Sequence, residues 1–302
     1  MKDLTFGIEI ELTGLSREKA ARVLAEHLGA RERHTGGGYD KWEVEDDRGR
    51  TWALMNDSSI TPEAKQGSRR TAAGPDHRVE LVSPILNYGD IERVQEIIRT
   101  LRSAGAFANK SCGIHIHIGK EKFSARSLRN LVNIMASKED LIYQALQVRS
   151  SREQQYCRKV SGRFLEDLNR QKPKELNKIA DLWYEGYASQ RNARYHPSRY
   201  HELNLHSVFH GPTLEYRIFN GTTHAGRIKA YIQFCLAVSH QALAQKSASA
   251  RKTRTTNPKY TFRTWLLHLG LIGEEFETAR LHLLKNLEGD SAFRNGRQAA
   301  GA

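Results

Sequence analysis

Several short stretches of the sequence alternate apolar residues with residues that can bind metals or transfer protons. In Phe6–Leu12 (FGIEIEL), Glu9 and Glu11 are separated by one isoleucine. Side chains alternate between the two faces of a β-strand, so a strand here places both carboxylates on one face. Four other stretches show the same pattern, with these polar residues: Glu80; His115 and His117; Glu202, Asn204 and His206; Glu215 and Arg217. If the strands share one sheet, its polar face gathers Glu9, Glu11, Glu80 and Glu215.

Such a face has a definite chemistry. Carboxylates at close range repel one another and stay ionised only with cations among them. Their oxygens are hard ligands that suit Mg²⁺ or Mn²⁺. Metal-bound carboxylates with basic groups opposite suit phosphoryl transfer, because the metals bridge nucleotide phosphate oxygens. Arg217 would neutralise charge on a transferring phosphoryl group or an acyl-phosphate, and His115 or His117 could donate to a phosphate oxygen.

Each pattern also has a simpler explanation. The EIE triplet alone is typical of a solvated strand face, and Glu215 with Arg217 could be an ordinary cross-strand ion pair. His115 and His117 could form a zinc pair, although Cys112 is predicted on the opposite strand face. Recurrence across separate strands favours the joint site. The sequence has no GxxxxGK[ST] loop, no protein-kinase motif set and no GxSxG elbow, which argues against those enzyme classes.

The elements that position these residues alternate along the chain. The patterns predict strands at residues 4–12, 39–44, 51–55, 78–83, 112–118, 200–206 and 213–219, with a mobile loop at 65–76. A parallel sheet buried on both faces would not tolerate so many charged positions. We therefore expect an α+β fold with a mostly antiparallel sheet, helices on one face and an open cleft on the other. One catalytic domain over residues 1–302 would contain a helical insertion at about 124–190 and closing helices at about 260–290.

The composition indicates which partners the chain could bind and in which compartment it could function. The formal net charge of +13 favours polyanionic partners. The segment Arg191–His201 (RNARYHPSRYH) interleaves arginine with tyrosine and fits either nucleic acid or an anionic peptide. Three widely spaced cysteines fit no disulfide framework and indicate a reducing compartment, with Cys157 expected to be the most exposed thiol. No apolar run approaches a membrane span and no signal peptide is apparent, so we expect a cytoplasmic protein.

Several motifs, in order, carry a resemblance that covers residues 6 to about 294. They are FGIEIE, NDSSI, VELVSPIL, CGIHIHI, ELNLHS, TLEYRIFNGTTHAGRIKAYIQFCLAVS and HLGLIGEEFETARLHLLKNLEGDSAFR. Together they resemble the amidoligase family, which belongs with the carboxylate–amine ligases and is similar to glutamine synthetase and the glutamate–cysteine ligases. The resemblance implies a curved antiparallel sheet around an ATP and metal cleft. It also implies ATP-dependent ligation of a carboxylate to an amine through an acyl-phosphate.

The resemblance also implies roles for individual residues. Glu9, Glu11, Glu80 and Glu215 resemble the family's metal ligands, and Arg217 resembles the arginine that steadies the phosphorylated intermediate. Other positions are assigned as follows: His115 or His117 near metal and γ-phosphate, Asp57 at the substrate or amine, and Asn204 and Asn220 along the cleft. The residue that deprotonates the amine has no counterpart that we can identify.

The resulting hypothesis is an amidoligase that uses ATP with Mg²⁺ or Mn²⁺. Its partners would be a carboxylate and an amine, one of them a peptide or macromolecule. Two alternatives remain open: a basic nucleic-acid-binding protein with a degenerate or nucleolytic metal site, and a metal-dependent amidohydrolase. The first alternative predicts that the protein binds nucleic acid without added nucleotide and that its affinity falls steeply as salt is added. Amide cleavage with metal alone would mark the second.

Overall fold

A computed structural model of the chain describes residues 1–187 and 190–294. Its strands are β1 Phe6–Leu12, β2 Glu32–Gly36, β3 Lys41–Glu45, β4 Thr51–Met55, β5 Glu63–Gln66, β6 Arg69–Ala72, β7 Val79–Val82, β8 Gly113–Gly119, β9 Leu203–Asn204 and β10 Thr213–Asn220. Its helices are α1 Arg17–Leu28, α2 Ile91–Ser103, α3 Ala125–Leu146, α4 Ser150–Gln155, α5 Gly162–Gln171, α6 Leu176–Tyr184, α7 His206–His210, α8 Ala225–Ala244, α9 Pro258–His268 and α10 Glu277–Leu284. The fold mixes helices with a mostly antiparallel sheet, as the α+β prediction expected.

The chain divides into two compact units. The strand-rich unit comprises Lys2–His117 and Phe219–Ile232, and the helix-rich unit comprises Met1, Ile118–Ile218 and the chain from Gln233 onward. The prediction of one catalytic domain over residues 1–302, with an insertion and closing helices, stays a prediction.

In the strand-rich unit, neighbouring strands follow the order β2, β3, β4, β7, β1 and β8. Strand β1 forms because its alternate residues are apolar, and those residues are buried, including Ile8 and Ile10. Its partner β7 runs antiparallel, with Glu9 opposite Val82 and Glu11 opposite Glu80. This register decides which polar side chains meet on the other face of the sheet.

Helix α1 covers part of this sheet. It begins after Ser16, whose hydroxyl accepts the Lys19 N–H at 3.2 Å, and ends at Gly29 with a φ of 64°. Its buried face includes Ala21 and Leu24, and it packs on β3, β4 and α2. Capping and the apolar stripe therefore fix where the helix starts, ends and docks.

The turn between β3 and β4 is organised by one buried aspartate. Asp46 is 5% exposed, and its carboxylate accepts hydrogen bonds from the Arg48 and Arg50 backbone N–H groups at 3.0 Å. Side-chain donors complete the set: Arg50 Nε at 3.0 Å, Arg93 Nη1 at 3.2 Å and Trp52 Nε1 at 3.3 Å. Burial alone would raise the pKa of Asp46, but these donors outweigh it and lower the pKa to about 2.

We expect Asp46→Asn to lower the free energy of unfolding at neutral pH by about 2 kcal/mol. Because the folded pKa is depressed, the carboxylate's contribution is complete above its unfolded pKa of about 3.9 and is lost as the pH falls towards about 2. Urea unfolding across this range should therefore show the two proteins converging in acid. Equal stability at neutral pH would contradict the prediction. The exposed Glu96→Gln variant is the control.

The helix-rich unit is built around apolar helices and a short strand pair. Strand β10 pairs antiparallel with β9, with Glu215 opposite Asn204. Helix α3 begins after Ser124, whose hydroxyl accepts the Ser127 N–H in a capping arrangement. Among the residues that the structure describes, no helix is long and apolar enough to span a membrane.

Several predictions from sequence differ from the structure. The predicted loop at residues 65–76 contains β6 and the end of β5, which pair antiparallel, and strand β2 was missed. The predicted strand at residues 200–206 shrinks to β9, because His206 begins α7. Cys157 is buried rather than exposed, and burial raises its pKa to about 11, which disfavours thiolate chemistry.

Candidate metal centre

Glu9 and Glu11 lie on the polar face of β1. Their apolar neighbours in the strand are buried, so the pleat leaves both carboxylates on the opposite face, as predicted. Glu11 is only 4% exposed, whereas the Glu9 side chain keeps 28% of its surface accessible. The Gly113 N–H, at the start of β8, donates to Glu11 Oε2 at 2.6 Å. This bond fixes one carboxylate oxygen and leaves the other available to a ligand.

Glu80 brings a second carboxylate against Glu11. The two residues are directly opposite in the β1–β7 register, which places their side chains on the same face. Like charges directly opposite on a sheet are destabilising unless something compensates them. A cation between the two carboxylates would remove that penalty.

His115 completes a donor set with these two glutamates. It lies on β8 between buried isoleucines and is 4% exposed. Glu11, Glu80 and His115 each offer one ligand atom, and these atoms all lie within 4.8 Å of one another. Ligand atoms around a single Mg²⁺ at bond lengths near 2.1 Å are separated by about 3–4 Å. A small inward movement of the side chains would therefore enclose one ion.

Glu9 orients His115 from the other side of the ring. The His115 Nδ1 lies 2.9 Å from Glu9 Oε2, while its Nε2 lies 3.8 Å from Glu11 Oε1. A histidine whose Nδ1–H donates to a carboxylate presents its Nε2 lone pair, which is the usual arrangement behind a metal-ligating imidazole. The geometry therefore fits Nε2 as the ligand atom and Glu9 as its partner.

Glu9 is held in its charged form. Burial would raise the pKa of its carboxyl, but the charge of His117 and the hydrogen bonds of His115 and His117 outweigh it, so that the pKa falls well below the ordinary value. His117 Nε2 lies 3.4 Å from Glu9 Oε1, and 19% of the His117 side chain is exposed. His117 is therefore the more accessible of the two histidines.

A hard divalent cation suits the donors Glu11, Glu80 and His115, with Glu9 and His117 beside them. Two carboxylates and one imidazole match Mn²⁺ well and Mg²⁺ acceptably, since both prefer oxygen donors. Zinc would accept the same atoms, but no cysteine belongs to a metal-sized cluster among the described residues.

Glu215, Arg217 and Asn204 lie in the helix-rich unit and contact one another. Arg217 forms an ion pair with Glu215 Oε1, and Asn204 Nδ2 donates to Glu215 Oε2 at 2.5 Å. All three are at most 5% exposed. Asn204 Oδ1 also accepts the His206 N–H at 2.9 Å, in a turn that directly precedes α7. The simpler expectation of an ion pair between Glu215 and Arg217 is thus present in the structure.

Asp57 lies in a turn, and Asn220 lies at the end of a strand. Asp57 Oδ1 accepts the Ser59 N–H at 2.7 Å in a turn just beyond β4. No hydrogen bond or ion pair within the described residues joins Asp57 to the carboxylate cluster. Asn220 ends β10 and precedes Gly221, where an added Cβ would lie 2.6 Å from Cys112 Cβ. Only glycine fits that close approach.

Sequence reasoning missed one buried charged group in the helix-rich unit, Arg152, and the burial of a second, Glu202. Arg152 of α4 is 3% exposed, and its Nη2 donates to the Arg217 carbonyl at 3.3 Å. Glu202 is 2% exposed, and its burial, together with the nearby charge of Glu139, raises its pKa well above the ordinary value. Arg152 sits in a polar helix with no periodic signal. Glu202 did appear on a polar strand face, but its pairing with a distant helix could not be anticipated.

Comparison with known proteins identifies the family. A search of curated proteins found no match to the chain. Residues 2–239 match the model of the family described as “Putative amidoligase enzyme”. This match covers well over half of the sequence and includes the strands that carry Glu9, Glu11, Glu80, His115 and His117. The chain therefore belongs to this amidoligase family.

Proposed function

We propose that the protein is an ATP-dependent carboxylate–amine ligase with a divalent-metal centre at Glu11, Glu80 and His115. The observation that carries the proposal is the convergence of these three donors within 4.8 Å in a chain of the amidoligase family. A bound Mg²⁺ or Mn²⁺ would neutralise nucleotide phosphate oxygens and so supply the electrostatic part of phosphoryl transfer.

The side chains of the strand-rich unit have different roles in this proposal. Glu11 and Glu80 supply negative charge to the cation, and His115 supplies a neutral nitrogen through Nε2. Glu9 accepts from His115 Nδ1 at 2.9 Å and so holds the ring in position. His117 is more exposed and is the better candidate to donate to a phosphate oxygen.

The proposed reaction balances in two steps. The substrate carboxylate attacks the γ-phosphorus of ATP, which forms an acyl-phosphate and releases ADP. The amine then attacks the acyl carbon, phosphate leaves, and the nitrogen loses a proton. The net result is one amide, ADP and phosphate. Hydrolysis of ATP thereby drives a condensation that is unfavourable in water.

Other predicted roles stay predictions of the family resemblance. They are metal ligation by Glu9 and Glu215, stabilisation of the acyl-phosphate by Arg217, contact with substrate or amine by Asp57, and cleft contacts by Asn204 and Asn220. A glutamine-synthetase-like catalytic fold stays a prediction of the resemblance, and a cytoplasmic location stays a prediction from the cysteine content and the lack of targeting or membrane segments in the sequence. The burial of all three cysteines agrees with a reducing compartment but does not require one.

The test starts from protein that has been stripped of metal and measures how much ADP it forms from added ATP. We expect release only when ATP, Mg²⁺ or Mn²⁺, a carboxylate and an amine are all present, and thermal stabilisation by ATP only with metal. Hydroxylamine in place of the amine should trap the acyl-phosphate as a hydroxamate. A screen of carboxylate and amine pairs would then identify the substrates.

Two outcomes would replace this proposal. Amide cleavage by the metal-loaded protein without ATP would indicate a hydrolase. Absence of both ATP binding and ADP release, together with tight salt-dependent binding of nucleic acid, would indicate a nucleic-acid-binding protein.

A further inference from the structure

Arginine and tyrosine side chains alternate along one part of the helix-rich unit. This arginine–tyrosine strip runs from exposed to buried positions through Tyr195, Arg199, Tyr200 and Arg217, with Arg158, Tyr156 and Arg152 beside it. Tyr195 at its outer end is 56% exposed, whereas Arg217 at its inner end is 5% exposed. The strip therefore connects the surface with the ion pair between Arg217 and Glu215.

Cation–π contacts hold the strip together. The Arg199 guanidinium carbon lies 5.4 Å from the centre of the Tyr195 ring and 5.5 Å from that of Tyr200. The Arg217 guanidinium carbon lies 5.9 Å from the same Tyr200 ring. Guanidinium groups that stack on rings keep their N–H edges available for planar acceptors such as carboxylates.

Two guanidinium groups of the strip lack acidic partners. Among the described residues, Arg158 donates to the backbone carbonyls of Tyr200 and Pro197, both at 3.3 Å, and these neutral acceptors do not compensate its charge. Neither Arg158 nor Arg199 forms an ion pair with any carboxylate in residues 1–187 and 190–294. The segment 190–201 contains three arginines and no acidic residue, and one of them, Arg191, pairs with Asp181 at 2.8 Å. An anionic partner would supply the missing charge.

The packing of the rings favours a peptide over a nucleic acid. Binding of single strands relies on aromatic faces on which bases stack. The Tyr200 ring already contacts Arg199 and Arg217, and the edge of Tyr156 at 6.2 Å. Its surface is therefore occupied by protein groups. Carboxylates need only the guanidinium edges, which stacking on a ring leaves accessible.

We propose that the arginine–tyrosine strip docks an acidic peptide segment with several carboxylates, which is the carboxylate co-substrate of the ligase. The identification as co-substrate rests on the proposed function, whereas the docking itself does not. Arg158 and Arg199 bind carboxylates along the peptide, and the tyrosines hold these arginines in place. A single free amino acid would engage too few of these groups to bind well.

The docking is tested with fluorescein-labelled octaglutamate, without nucleotide or metal. Fluorescence anisotropy should show binding to the full chain that weakens with added salt. The double variant Arg158→Ala/Arg199→Ala should lose at least about tenfold in affinity, since it removes two charge-assisted contacts. The Arg199→Lys variant should lose part of the affinity, because lysine keeps the positive charge but lacks the planar guanidinium group that binds a carboxylate through two N–H bonds.

The matched control removes two exposed arginines of α2, Arg99→Ala/Arg102→Ala, and should change the affinity less than about twofold. Thermal melts verify that all variants fold. Equal losses of affinity in both double variants would show that the effect depends only on net charge, and this result would overturn the proposal. So would tighter binding of octathymidylate than of octaglutamate, which would identify a nucleic-acid surface. Because no turnover is measured, failure here leaves the metal and ATP tests of the ligase unaffected.

Discussion

Replacement of Glu11 by glutamine should reduce metal-dependent ADP release by about three orders of magnitude, since loss of a metal ligand removes several kcal/mol of transition-state stabilisation. Glu11 is the most constrained member of the donor set. It is 4% exposed, faces Glu80 across the β1–β7 register, and shares a metal-sized cluster with Glu80 and His115. The amide oxygen of glutamine would bind a cation more weakly than a carboxylate does.

The same variant separates loss of the metal from loss of the fold. Glutamine can still accept the Gly113 N–H through its amide oxygen, so the contact between β1 and β8 survives. Removal of one charge also relieves the repulsion with Glu80 in the metal-free protein. We therefore expect the melting temperature without metal to stay equal or to rise, while the stabilisation by Mn²⁺ or Mg²⁺ disappears.

The matched control is Glu96→Gln, an exposed glutamate on α2 with the same change of charge and size. It should keep both turnover and stabilisation by metal. Retained metal stabilisation in Glu11→Gln would remove Glu11 from the metal centre. A large drop of its metal-free melting temperature would assign it a structural role instead.

The sequence was sufficient to predict the polar face of the strand-rich unit. A strand has a side-chain period of two, so burial of Ile8 and Ile10 requires Glu9 and Glu11 to face the other way. The same reasoning placed His115 and His117 on one face of β8. The alternation of side chains within one strand does not predict which residues of two paired strands lie opposite each other. That Glu11 meets Glu80 depends on the pairing of two strands separated by almost seventy residues.

The helix-rich unit was less predictable for a related reason. Some of its buried charged groups contact partners that are distant in sequence: Arg152 donates to the Arg217 carbonyl, and Glu139 pairs with Lys252. The strand predicted around Asn204 is short because the chain turns there, with the Asn204 side chain accepting the His206 N–H, and a helix follows from His206. Such side-chain competition for backbone groups leaves no periodic signal.

Local spacing likewise left the roles of the two histidines open, and the three-dimensional contacts now distinguish them. His115 is almost fully buried, its Nδ1 bonds Glu9, and its ring belongs to the donor cluster with Glu11 and Glu80. His117 is more exposed and lies 3.4 Å from Glu9 through Nε2. The first arrangement fits a metal ligand, and the second fits a group that meets the nucleotide.

Replacement of each histidine by alanine should therefore affect different measurements. His115→Ala should weaken Mn²⁺ binding by about a hundredfold and lower turnover in proportion, so that excess metal restores part of the activity. His117→Ala should bind Mn²⁺ within about threefold of the native protein, yet lose about a hundredfold in turnover at saturating metal, because a donor to phosphate oxygen acts mainly in the transition state.

The two measurements needed are a metal titration followed by melting temperature and an ADP-release assay at saturating metal. His115→Gln is a useful companion, because its amide can retain a hydrogen bond to Glu9 but is a poor ligand, and it should resemble His115→Ala in metal affinity. If His117→Ala lost the metal and His115→Ala kept it, the assignment would be reversed and the Nε2 of His115 would not be a ligand. If both lost it equally, the two rings would share one cation, and the hydrogen bond from His115 to Glu9 would have to break when the metal binds.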